Sequence, residues 1–370
     1  MMLHRIHRRT FPAALAVVLG AATVMWAVQL IDRAAPPQAS FAQLVAELSE
    51  PGGFFDTDNL ISNEKSYLHV IPQLEQSGVA GGVYIGAGPD QNFSYIARIR
   101  PRVAFILDIR RDNLLLHLLF KALFAESRNR VEYVSILTGR PVPADAEKWR
   151  DADIGRIVAY IDGTKPSATP ALDRRIHATI ARFGVPLSAE EYATIDRYHA
   201  VFINAGLSLQ FQTFGRATQS YNPTYRELVT ETDRKGRKLS FLASEQDFQF
   251  VRSLQVRDGI IPVVGDFAGT HALAAIAKWM TAHNERLSAF YVSNVEDYLF
   301  RDGSFGRFIE NVKRLPHQDR SVVIRSIFGR LAERELEPGY FSASTVQDLN
   351  ELLTNFAAGK YRSYRSLLGQ

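Results

Sequence analysis

The chain has 370 residues, of which 46% are hydrophobic and 22% charged; that balance fits a folded globular protein and excludes a disordered one. It contains no cysteine, which excludes disulfides, thiolate metal sites, iron–sulfur clusters and cysteine nucleophiles. The net charge of +4 includes three arginines of the amino-terminal tail, Arg5, Arg8 and Arg9; the remainder is near balance and carries no nucleic-acid footprint.

Met1–Thr10 is basic, and Phe11–Leu30 is apolar apart from Gln29. About 20 such residues can span a bilayer. Residues 1–40 are therefore expected to be a signal peptide or a membrane anchor, with Ala34–Ser40 as a linker. Arg8-Arg9-Thr10-Phe11 partly resembles a twin-arginine export signal. Arginines ahead of the apolar run and few behind it place the main domain, residues 41–370, on the periplasmic side; a domain facing the cytoplasm is the alternative.

Phe41–Leu48 reads as a short amphipathic helix ended by Pro51-Gly52-Gly53. The acids and amides of Phe54–Glu64 fit either a loop over a pocket or the cap of a helix through Tyr67–Gln76. Gly82–Ile85 is a strand that stops at Gly86-Ala87-Gly88, followed by Pro89-Asp90. Gln91–Arg100 can make a short helix, and Val103–Leu107 a second strand with Asp108 at its carboxyl end. Two parallel strands joined by one helix form a right-handed βαβ unit. Glycines after the first strand let backbone approach a ligand, and an acid after the second accepts hydrogen bonds from a ribose. The bland alternative is a tight turn with no ligand. Gln91 stands where a dinucleotide fingerprint has its third glycine, which argues against a nicotinamide or flavin cofactor.

Asn113–Phe124 is apolar all round and predicts a buried helix, with His117 as a core histidine. Val131–Arg226 is helical in pattern and reads as an insertion, with a helix and an approach strand over Ala189–Ile203. Tyr221–Tyr225 fits a pocket wall or a packed turn. Further strands are expected at Ile260–Val264, Leu287–Val292 and Ser321–Ile327, and helices at Glu245–Val256, Thr270–His283, Phe305–Leu315 and Val346–Phe356. Five strands alternating with helices predict a doubly wound, mostly parallel α/β sheet. Asp90, Asp108, Asp266, Asn294 and Glu296 fall at strand ends, where such sheets bind ligands. No HExxH, paired-histidine spacing, GxSxG or GxxxxGK[ST] is present, so no metal site is expected.

The segments VYIGAGPD, FILDIRRDN, IIPVVGDFAG and AFYVSNVEDYL together resemble the class I S-adenosylmethionine-dependent methyltransferases, whose fold is of the Rossmann-like type. They also look like a poorly characterised bacterial group of that fold. The resemblance covers roughly Tyr67–Asn113 and Phe241–Phe328 and leaves the insertion, about 131–226, unexplained. It implies S-adenosylmethionine as cofactor, with Gly86, Gly88 and Asp90 facing its methionine part, Asp108 its ribose, and Asp266 with Phe267 its adenine. Asn294 and Glu296 would face the transferred methyl group, Glu296 as first candidate base and His271 and Tyr291 as weaker ones. The expected partner is an unidentified, small-molecule methyl acceptor. Two other readings stand beside it: a non-catalytic nucleoside-binding protein, exported or anchored, and a nicotinamide-dependent oxidoreductase.

Overall fold

Strands β1 (Val83–Gly86) and β3 (Ile260–Val264) are buried at every position, the pattern of strands covered by helices on both faces. In a computed structural model, which describes residues 39–57 and 59–370, they belong to one six-stranded sheet of order β3-β2-β1-β4-β5-β6. The other strands are β2 (Val103–Asp108), β4 (Leu287–Ser293), β5 (His317–Phe328) and β6 (Ser342–Asp348). Strands β1 to β5 are parallel, and β6 runs antiparallel to β5. Phe41–Gln370 form one compact unit. The expected leader or anchor lies outside the described residues; among the described residues no helix is long and apolar enough to cross a membrane.

All five expected strands are present, and the order is that of a Rossmann-like α/β sheet. The sixth is a correction. Val346–Asp348, expected to open the last helix, instead ends β6, and the helix starts at Leu349 with Asp348 Oδ1 accepting from Glu351 N at 2.8 Å. The sequence of β6, Ser-Ala-Ser-Thr-Val-Gln-Asp, has no apolar run. It is a strand because it pairs with β5 from Val322↔Asp348 to Phe328↔Ser342, and because buried Ser66 bonds its Ser342 and Ser344 hydroxyls.

The helix Arg111–Glu126 is buried over Asn113–Phe124, as its apolar composition requires. Phe93, from the helix Gln91–Ile99, packs edge-on against Phe120, Phe124 and Phe241 at centroid distances of 5.3–5.8 Å. Truncating so buried a ring costs about 3–5 kcal/mol. The insertion is helical, with the longest pieces at Pro170–Arg182 and Ala189–Ala205, both packed on Arg111–Glu126. The approach strand expected near Ile203 is absent: the Ser188 capping box opens a helix that runs on to Ala205.

Candidate functional site

In this strand order β1 is flanked by β2 on one side and β4 on the other, so consecutive crossovers leave it in opposite directions. A crevice opens at the carboxyl ends of strands where the direction reverses. A cavity of about 390 Å³ lies there, within the usual range for small-molecule sites. Its floor is Ala87 and Gly88 after β1, Leu107 to Arg110 at the end of β2, Gly265 to Phe267 after β3, and Ser293 to Val295 after β4. Two segments roof it, one from Phe54 to Glu64 and one carrying Phe211, Thr213 and Arg216. They are stitched together: Thr57 Oγ1 donates to Gln212 O at 2.7 Å, and Phe214 N donates to Asp56 O at 2.8 Å. The polar stretch before the first strand is thus a loop over a pocket, and its cap alternative fails. The 3₁₀ turn Lys65–Val70 receives no side-chain cap, and among the described residues Ser62 Oγ accepts only from Glu64 N.

Of the expected site residues, Gly88, Asp108, Asp266, Phe267 and Asn294 share this cavity. Gly88 has φ +81°, a left-handed conformation that favours glycine. Gly86 does not line the cavity. A Cβ there would sit 2.0 Å from Asn92 Oδ1 and 2.7 Å from the Tyr84 hydroxyl, so glycine makes room for Asn92 rather than for a ligand. Asn92 Nδ2 donates to the carbonyls of Ala87 and Pro89 at 2.8 and 2.7 Å, and Tyr84 donates to Asn92 Oδ1 at 2.7 Å. His117, buried as expected, holds the same turn from beneath, Nε2 to Gly88 O at 2.9 Å. Burial lowers its pKa to about 4, so the ring is neutral at pH 7 and Nε2–H donates.

Asp90 faces away from the cavity. It accepts from the Tyr225 hydroxyl at 2.7 Å beside a separate void of about 10 Å³, which Tyr67 and Ser94 also line; that is room for about one water. Burial raises its carboxyl to about 7. Asp108 reaches the cavity but is engaged by Arg110, Nε to Oδ1 at 3.0 Å and Nη2 to Oδ2 at 2.8 Å. Arg110 Nη1 also donates to Thr57 O at 2.8 Å, tying this acid to the roof. A ligand diol at Asp108 would share the carboxylate with the guanidinium.

Glu296, the expected base, is outside the cavity. It is fully buried and held by Arg325 in two bonds, Nε to Oε2 at 2.6 Å and Nη2 to Oε1 at 3.1 Å. Three residues past β4 on the helix Val295–Arg301, it turns toward β5 instead of the crevice. His271 is exposed and bonds Glu47 O at 2.8 Å, away from the cavity.

The acid that does reach this end of the cavity is Glu64, 1% exposed. Its Oε2 accepts from the Tyr291 hydroxyl and from Ser326 Oγ, the latter at 2.6 Å, and its Oε1 from Ser293 Oγ. Gln91 Nε2 donates to the Tyr291 oxygen at 3.1 Å, which orients the tyrosine proton toward Glu64. Ser293 has φ +53°, an uncommon conformation outside glycine. Burial raises the Glu64 pKa, and hydrogen bonds from Ser293, Ser326 and Tyr291 offset this only in part. The sequence shows Glu64 only as one member of a polar cluster. Its partners lie 227 to 262 positions away, so no local pattern marks it.

A family model described as "Domain of unknown function (DUF7790)" matches residues 60–146 and 188–369. The chain belongs to this family. The stretch between the two DUF7790 matches, residues 147–187, contributes no residue to the cavity. No curated protein matches the chain.

Proposed function

We propose that the cavity binds S-adenosylmethionine and that the protein transfers its methyl group to a small acceptor, with Glu64 in place of Glu296 as the proton acceptor. The observation that carries this is the convergence of Gly88, Asp108, Asp266 and Asn294 on one cavity at the β1/β4 reversal. Charge supports it. Five acids line the described cavity, Asp56, Glu64, Asp108, Asp266 and Asp302, against two arginines. Both arginines pair with acids of that set, Arg110 with Asp108 and Arg216 with Asp56. The excess negative charge favours a cationic ligand such as a sulfonium and disfavours a pyrophosphate. The chemistry is in-line displacement: the protein orients the two reactants and removes a proton.

The test is isothermal titration of the purified chain with S-adenosylhomocysteine, with NADH fluorescence as the rival arm. Asp108→Asn should weaken the first by about tenfold or more, roughly 1.4 kcal/mol. Absence of binding by folded wild-type protein ends the cofactor proposal, and binding without turnover of S-adenosylmethionine leaves a non-catalytic nucleoside receptor. The proposal also implies that Phe41–Gln370 meets a compartment holding the cofactor, which a topology reporter fused after Ser40 would report.

A further inference from the structure

The acids of the cavity differ in burial and in partners. Asp108 is paired with Arg110, and the half-buried Asp266 and the exposed Asp302 accept from backbone amides, Ala268 N and Ser304 N, each at 2.9 Å. Glu64, beside β4 and β5, is buried, and its carboxylate accepts from three neutral hydroxyls. Among the described residues no lysine, arginine or histidine forms an ion pair with it. A carboxylate has about four lone-pair sites. Ser293 takes one on Oε1, and Tyr291 and Ser326 take two on Oε2, which leaves one direction on Oε1. All three hydroxyls donate to it, which favours the ionised form against the burial that raises its pKa. A buried ionised carboxylate is costly without a positive partner, and the described residues supply none here. Phe55 and Tyr298, edge-to-face at 5.2 Å, line the same cavity.

We infer that Glu64 is the receptor for an alkylammonium group, supplied either by the amino-acid end of the bound cofactor or by the nitrogen that accepts the methyl group. A neutral alcohol brings no charge to balance the carboxylate, and an acidic acceptor would be repelled. The acceptor case rests on the methyl-transfer proposal above. There the ammonium gives one proton to Glu64, and its freed lone pair forms the new N–C bond. The C–S bond breaks with its electron pair on sulfur, and the sulfonium becomes a thioether. The proton leaves Glu64 for solvent when the product departs.

The experiment measures binding of three probes to the full chain and to Glu64→Gln, each checked for folding by circular dichroism. The probes are S-adenosylhomocysteine, 5′-methylthioadenosine, which lacks the ammonium, and butylamine compared with butanol. If the cofactor supplies the group, Glu64→Gln weakens S-adenosylhomocysteine at least tenfold and leaves 5′-methylthioadenosine unchanged. If the acceptor supplies it, both nucleosides are unaffected, and wild type saturated with S-adenosylhomocysteine binds butylamine at least tenfold better than butanol. That wild-type preference needs no variant and survives a misfolded Glu64→Gln. The inference is overturned if butylamine and butanol bind alike and Glu64→Gln changes neither nucleoside. If neither nucleoside binds wild type, the cofactor proposal fails by itself, and the amine–alcohol comparison on the unliganded chain still decides for or against Glu64.

Discussion

Two buried glutamates flank the end of β4, and their surroundings differ in two respects. Glu296 meets the charge of Arg325 and is sealed from solvent and cavity alike. Glu64 meets hydroxyls alone and borders the cavity. A charged partner held in two bonds makes an acid a brace between a helix and the sheet. Neutral donors leave an acid able to change its proton, which chemistry requires. Proximity to a strand end is common to both and distinguishes neither.

That contrast can be broken most sharply at Glu64. Glu64→Gln should lower turnover of S-adenosylmethionine, followed by mass spectrometry, by about 10²–10⁴-fold; unchanged turnover would remove the acid from the mechanism. On the other side of β4, Arg325→Ala leaves Glu296 buried and unpaired and should cost about 3–5 kcal/mol, read from the urea midpoint. Replacing both partners by Glu296→Gln and Arg325→Met should recover much of that loss, because a neutral packed pair avoids the desolvation of two ions.

A third buried acid sharpens the comparison through pH. Burial raises Asp90 from 3.8 to about 7. Between those values the unfolded chain has lost the proton and the folded chain keeps it, so stability falls as pH rises. Asp90→Asn still gives the Tyr225 hydroxyl an acceptor. It should flatten the slope between about pH 4 and pH 7 and raise stability at pH 7 by up to about 4 kcal/mol. Glu64, shifted the same way by burial, should leave a residual slope. Denaturation at several pH values checks this, and identical slopes in the two proteins would count against it. The smallest effect belongs to the roof: Arg216 is 71% exposed in its pair with Asp56, so Arg216→Ala should change stability by less than about 0.5 kcal/mol.

Much of the scaffold was legible because parallel strands buried on both faces are continuous apolar runs; those at Val83, Val103 and Ile260 are unbroken, and Ser288 alone interrupts the one from Leu287 to Val292. Strand β6 was not, since its stability comes from β5 and Ser66 rather than from its own residues. The cavity acids Asp108 and Asp266 follow from position at or after the end of a strand. The direction of a side chain does not: Asp90 is turned inward by Tyr225, 135 residues on, and Glu296 by Arg325. Glu64 becomes conspicuous only when β4 and β5 bring Tyr291, Ser293 and Ser326 to it.

The turn at Gly86–Asp90 is fixed before any ligand arrives. Asn92 grips its carbonyls from one side and His117 from the other. Its conformational entropy is therefore lost during folding, not at encounter, and a ligand finds its mould already cast. Free and occupied protein should superpose at this turn, leaving the stitched roof of Thr57 and Gln212 as the part that yields to entry.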